Sequence, residues 1–241
     1  TPSNDQLKAL ITESLRGAPV TVASIARGGR LYDNWVKETK ATTPATNMPL
    51  WALQTTNTRK GTDTWRCKEC HGWDYKGVGG TYSSGSHKTG FPGVISASAT
   101  MSKDELMDVL LGATDYRHDF SSVMGADDLT NLVSFLSEGV VNDALYLDYN
   151  ASGKPPKTAN VAHGQTLYTS TCAMCHGANG KQILIDGTLG IGDVARDEPT
   201  VEILHKIRSG QPGTAMASAI VNGWSVQDAL DVLAYVQTLG K

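Results

Sequence analysis

All four cysteines of this chain fall in two copies of one pentapeptide, Cys67-Lys68-Glu69-Cys70-His71 and Cys172-Ala173-Met174-Cys175-His176. Two cysteines three positions apart share one helical turn. The spacing C-x-x-C-H is the attachment signature of c-type haem, in which the thiols add across the two vinyl groups of one porphyrin and the histidine lies under the ring as an iron ligand. Two covalently bound haem c groups per chain are the expectation. Other uses of paired thiols stay open at this point: a thioredoxin-like redox pair, a zinc site built from two C-x-x-C knuckles, or disulfides in an oxidising compartment. In favour of haem, each pair is followed at once by His and then Gly, and no cysteine is left over.

The bulk properties suit a carrier of this kind. A chain of 241 residues with 40% apolar side chains is long enough for two domains with ordinary cores. The net charge of -3 provides no basic field for nucleic acid or anionic lipid, and no apolar run approaches the ~20 residues of a transmembrane span. The sequence opens on Thr1-Pro2 without a basic and apolar signal. Because covalent haem attachment is made outside the cytoplasm in bacteria, a periplasmic or otherwise extracytoplasmic protein, mature after signal removal, is expected.

Internal repetition is the second strong signal. Gly28-Gly29-Arg30-Leu31-Tyr32 has a counterpart in Gly164-Gln165-Thr166-Leu167-Tyr168, each in a helical stretch before a haem motif. Downstream, residues 101–112 read as a short amphipathic helix with a Ser102/Glu105 capping box and Gly112 as its stop, matched by residues 200–210. Residues 128–136 then match 228–236 at an offset of 100. Helix, C-x-x-C-H, short helix and closing helix thus occur twice in that order.

That order resembles the class I cytochrome c domain over about residues 26–140 and 160–240. The resemblance implies an all-α fold: two cytochrome c-like helical domains in tandem, each wrapped around one haem, with first and last helices crossing. In that family a small residue on the first helix lets an aromatic of the last pack close. Gly28 or Gly29 with Phe135, and Gly164 with Tyr235, fit these roles. The expected domains are residues 1–150 and 160–241, joined by a Pro-Pro linker over 151–159. The first carries two additions: a helical extension over 1–17, with its helix at residues 3–15, and an insertion at about 33–64. The insertion is read as covering the haem edge or the domain interface, with partner binding as the alternative.

The resemblance also places the sixth iron ligand, usually a methionine on the loop between short and closing helices. For the second haem this is Met216, six residues past Gly210. Counting six from the equivalent Gly112 gives His118 for the first haem, so bis-histidine ligation by His71 and His118 is expected, with Met124, His87 and Met101 as rivals. His163 and His205 read as solvent-facing or capping residues. Axial Met raises the potential relative to a second His, which makes the first haem the lower-potential centre. Together these imply a carrier passing electrons between redox proteins. The alternatives are a dihaem enzyme, peroxidase-like or oxidising sulfur compounds, that uses a displaceable ligand at the first iron, and the electron-transfer subunit of a larger oxidoreductase.

Overall fold

The computed structural model describes residue 9 and residues 19–197 and 200–240; the helix expected over 3–15 falls almost wholly outside them. Among the described residues the protein is all-α, as expected, with isolated bridge pairs and no strand. It divides into two compact units that part at Val141 and Asn142, with Pro212–Thr214 grouped with the first.

In the first unit, α1 (Val22–Thr39) starts at a capping box in which Thr21 and Ser24 each accept the other's backbone N–H. Leu31, Tyr32 and Trp35 point from it into the core, each burial contributing about 1.5–3 kcal/mol. This face meets α5 (Ala126–Glu138), which buries Leu129, Leu132, Val133 and Phe135. The crossing is close at Gly28, where a Cβ would lie 2.0 Å from the Asn131 carbonyl oxygen and 2.5 Å from Phe135 Cβ. Between them come α2 (Cys67–His71), α3 (Ile95–Thr100) and α4 (Lys103–Leu110), the last opened by the Ser102/Glu105 capping box.

The inserted segment is stapled to this unit by buried polar groups. Two 3-10 turns, Pro49–Leu53 and Gly61–Trp65, carry it. Trp35 Nε1 donates to the Trp65 carbonyl at 3.0 Å, Trp65 Nε1 to the Thr46 carbonyl at 2.8 Å, and Met48 N to Thr64 Oγ1 at 2.9 Å. Each indole thereby buries its ring while satisfying its one donor.

The second unit repeats the plan with shorter parts. Its α6 (Val161–Leu167) begins at Asn160, whose side chain accepts from His163 N, and runs through a π-helical turn (Tyr168–Cys172) into α7 (Ala173–His176). Helices α8 (Ile191–Asp197), α9 (Thr200–Ser209) and α10 (Val226–Val236) follow. Helix α6 crosses α10 at Gly164, where a Cβ would stand 1.9 Å from the Asp231 carbonyl oxygen. Tyr235 packs on Tyr168, ring centroids 5.3 Å apart. The Pro-Pro segment read as a linker lies within this unit and is paired: Leu147 is fully buried and bridges Pro156, and Asp148 N donates to the Pro155 carbonyl at 2.9 Å. Proline lacks a donor but keeps its acceptor, so a neighbouring N–H captures it.

Candidate functional site

Helix α2 places Cys67, Cys70 and His71 along one wall of a 410 Å³ cavity in the first unit, within the ~300–1,000 Å³ of cofactor pockets. Gly72, at a φ of 79°, turns the chain away directly after His71, and Tyr32 Oη donates to the Gly72 carbonyl at 2.6 Å. His71 Nδ1 lies 2.7 Å from the Pro92 carbonyl oxygen. Across the cavity, Asp115 caps the 3-10 turn Tyr116–His118, and His118 Nδ1 lies 3.1 Å from the Val109 carbonyl oxygen. A carbonyl only accepts, so in both rings Nδ1 carries the proton and Nε2 keeps its lone pair. Burial, with the nearby His118 adding to it against the Pro92 bond, pushes His71 down to about 4. Burial also lowers His118. Both imidazoles are neutral at pH 7.

The two rings stand with centroids 6.2 Å apart. An imidazole nitrogen binds a metal ion at about 2.0–2.1 Å and its ring centroid lies about 1.1 Å further out, so two such ligands on opposite sides of one ion put their centroids about 6.2–6.4 Å apart. The observed separation fits. Trp65, Phe120 and Leu132 give the remaining wall an apolar character, and Met48, Leu50 and Leu53 from the inserted segment complete it. The donor set and the cavity therefore suit a haem.

All four cysteines are unbridged. Burial pushes the Cys67 and Cys70 thiols up to about 12 and Cys172 up to about 11. Among the described residues, no metal-ligand cluster includes a cysteine; the one cluster is His163, Asp228 and Asp231.

Of the rivals to His118, Met101 also lines the cavity, whereas Met124 is buried in the apolar core outside the lining. His87 has another occupation. Its Nδ1 lies 3.1 Å from Glu69 Oε2 and its ring stacks on Tyr82 at 4.7 Å. Glu69, 1% exposed, also pairs with Lys68 and, at 3.5 Å, with Arg59 of the inserted segment. Burial pushes the Glu69 carboxyl up, but the His87 hydrogen bond and the Lys68 and Arg59 charges outweigh it and hold the group at about 2. This buried network lay beyond sequence reasoning, since the residues between the two cysteines are charged and gave no sign of burial.

In the second unit, Cys172 is partly exposed, Cys175 exposed, and Met174 projects outward at 82% exposure. Tyr168 Oη donates to the Gly177 carbonyl at 2.7 Å, as Tyr32 does to Gly72. Burial lowers His176, whose Nδ1 is buried without a hydrogen-bond partner. Met216 is partly buried on the irregular stretch between α9 and α10. His163 hydrogen-bonds a carboxylate, its Nδ1 2.9 Å from Asp231 Oδ2. His205, expected at the surface, is only 2% exposed: α9 turns that face inward together with Leu204 and Arg208.

Residues 161–240 match the cytochrome c family model, a stretch that holds Cys172, Cys175, His176 and Met216. No curated protein and no solved structure matches the chain. The match supports a c-type cytochrome, and with it covalently bound haem c and electron transfer in general. No described helix is long and apolar enough to cross a membrane.

Proposed function

We propose that the chain is a dihaem cytochrome c that carries single electrons between redox proteins outside the cytoplasm. Cys67, Cys70, His71 and His118 would hold one haem, and Cys172, Cys175, His176 and Met216 the other. Bound haem supplies an iron that alternates between ferric and ferrous states by one electron. The observation that carries this reading for the less familiar half of the chain is the pair of neutral histidines, 6.2 Å apart across an apolar cavity that also presents both cysteines.

The protein's own part is to fix and to exclude. Pro92 and Val109 hold the two rings through Nδ1, which leaves Nε2 as the nitrogen with a free lone pair on each. Two protein ligands on each iron would leave no position for a substrate, and transfer would then be outer-sphere. The cavity lining is largely apolar. His/Met ligation puts the second centre at higher potential than bis-His ligation puts the first, which sets the direction from the first to the second. Intact-mass measurement of the denatured protein tests the assignment: two haems above the polypeptide mass are expected, one of them lost on replacing Cys172 and Cys175 by Ala. A mass equal to the bare chain, or to one haem, overturns it.

One observation favours the enzymatic alternative. His118 sits on a turn of three residues beside Tyr116, which is 82% exposed, so the element that would carry the first iron's sixth ligand is short and borders solvent, although the ring itself is held by Val109 and Phe120. Rapid cyanide binding and turnover of peroxide by the wild type would select that reading over the carrier.

A further inference from the structure

The two motif histidines differ in one hydrogen bond, and one residue type accounts for the difference. Beyond each histidine the chain runs alike. Gly77 N donates to the His71 carbonyl at 2.8 Å, and Gln182 N to the His176 carbonyl at 3.0 Å. Further on, Val94 N and Ile95 N bond the Tyr75 carbonyl at 2.8 and 3.0 Å, while Ile191 N bonds the Gly180 carbonyl at 3.0 Å. In both units a glycine packs on that carbonyl: a Cβ at Gly93 would lie 2.2 Å from the Tyr75 oxygen, and one at Gly190 2.9 Å from the Gly180 oxygen. Gly93 thus corresponds to Gly190, and the residue before it, Pro92, to Leu189.

Pro92 has no N–H and cannot close a two-bond hairpin pair. Its carbonyl accepts from His71 Nδ1 at 2.7 Å. Leu189 has both groups, and both are engaged: Ile185 N donates to the Leu189 carbonyl at 2.8 Å, and Leu189 N to the Ile185 carbonyl at 3.0 Å. His176 Nδ1, buried, has no partner.

Resting on the ligand assignment proposed above, we infer that Leu189 is a positioning residue that raises the potential of the second centre by withholding from His176 the carbonyl that Pro92 gives to His71. A hydrogen bond from Nδ1–H raises the basicity of a ligating imidazole and favours the more highly charged metal ion. His71 accordingly stabilises ferric iron at the first centre. His176, without that bond, leaves the second easier to reduce. The proximal side and Met216 then act in the same direction.

Leu189→Pro tests this, because it deletes the Leu189 N–H that bonds the Ile185 carbonyl, leaves the Leu189 carbonyl held by the Ile185 N–H alone, and gives position 189 the chemistry of Pro92. Leu189 is 38% exposed, so little packing is lost. In a redox titration of the full holoprotein, the ferrous-to-ferric ratio of the second centre at fixed potential should fall about tenfold, a shift of ~59 mV for one electron. The first centre should not move, and the sulfur-to-iron band should persist. An unchanged second midpoint overturns the inference. A second measurement needs no variant: in the ferrous wild type, the His71 Nδ1 proton should exchange slowly with solvent and that of His176 quickly, and equal protection of both would also overturn it. Loss of the ligand assignment itself would show differently, as a wild-type protein with a single covalent haem or without a sulfur-to-iron band.

Discussion

Gly164→Ala probes the crossing on which the second unit is built. The added methyl would stand 1.9 Å from the Asp231 carbonyl oxygen, 2.4 Å from its carbon and 2.9 Å from Val232 N, all of them helix backbone that cannot rotate aside. To restore ordinary contact at 3.4 Å, α6 and α10 must part by about 1.5 Å, an overpacking that costs roughly 1–3 kcal/mol, and at times more. Parting the helices also stretches the bonds that Asp231 accepts from Asn160 N at 2.8 Å and from His163 Nδ1 at 2.9 Å. Alanine recovers at most about 1 kcal/mol of helix propensity. The net loss is about 2 kcal/mol, which lowers the thermal midpoint of a unit of this size by about 8–16 °C. Melting the holoprotein while following far-ultraviolet circular dichroism, together with the sulfur-to-iron band as a report on the second unit alone, measures this. A variant as stable as the wild type would show that the two helices do not meet at this glycine.

Three further outcomes follow from other parts of the chain. His118→Ala should open the first iron, giving a high-spin ferric signal and new binding of cyanide or carbon monoxide while the sulfur-to-iron band stays; an unchanged spectrum would move the ligand assignment to Met101, which lines the same cavity. Arg59→Met should destabilise the first unit in a denaturant melt by about 1–3 kcal/mol, less than the full ~3–5 kcal/mol of a broken buried pair, because Glu69 keeps Lys68 and His87; no change would mean that those two suffice. For Asp231, burial pushes the carboxyl up, but hydrogen bonds from Asn160 N, His163 and Gln227 outweigh it and hold it below its ordinary 3.8. A depressed carboxyl stabilises the fold above its unfolded value and loses that contribution as the pH falls through the folded one. Asp231→Asn should therefore lower the melting midpoint near pH 7, and the gap to the wild type should close below pH 3.8; a gap constant with pH would rule out a role for the charge.

The repeated helices were legible because their signals are local. Ser102 and Glu105 form the capping box that their spacing announced, and Gly112 ends that segment at a φ of 74°. The crossing glycines were legible as small residues in a repeat, although only the structure shows Gly28 against Asn131 and Phe135 and Gly164 against the Asp231 backbone. Counting from Gly112 led to His118, but no count could say that its ring would lie 6.2 Å from that of His71. Contacts between distant segments stayed hidden. Glu69 meets Arg59 and His87 through two loops whose course no local pattern sets, and Pro155 reads as a stiff extended residue until the Asp148 N–H captures its carbonyl. His205 misled because three charged neighbours suggested a solvated face, while the fold buries the stripe it shares with Leu204.

The central claim, two covalent haems with different ligand pairs, meets its most direct test in near-infrared magnetic circular dichroism of the oxidised protein, scaled to its covalent haem content. The account predicts equal amounts of a bis-histidine and a histidine–methionine ligand band, the second abolished by Met216→His while the first is unchanged. Two histidine–methionine centres, or a single haem per chain, would contradict it.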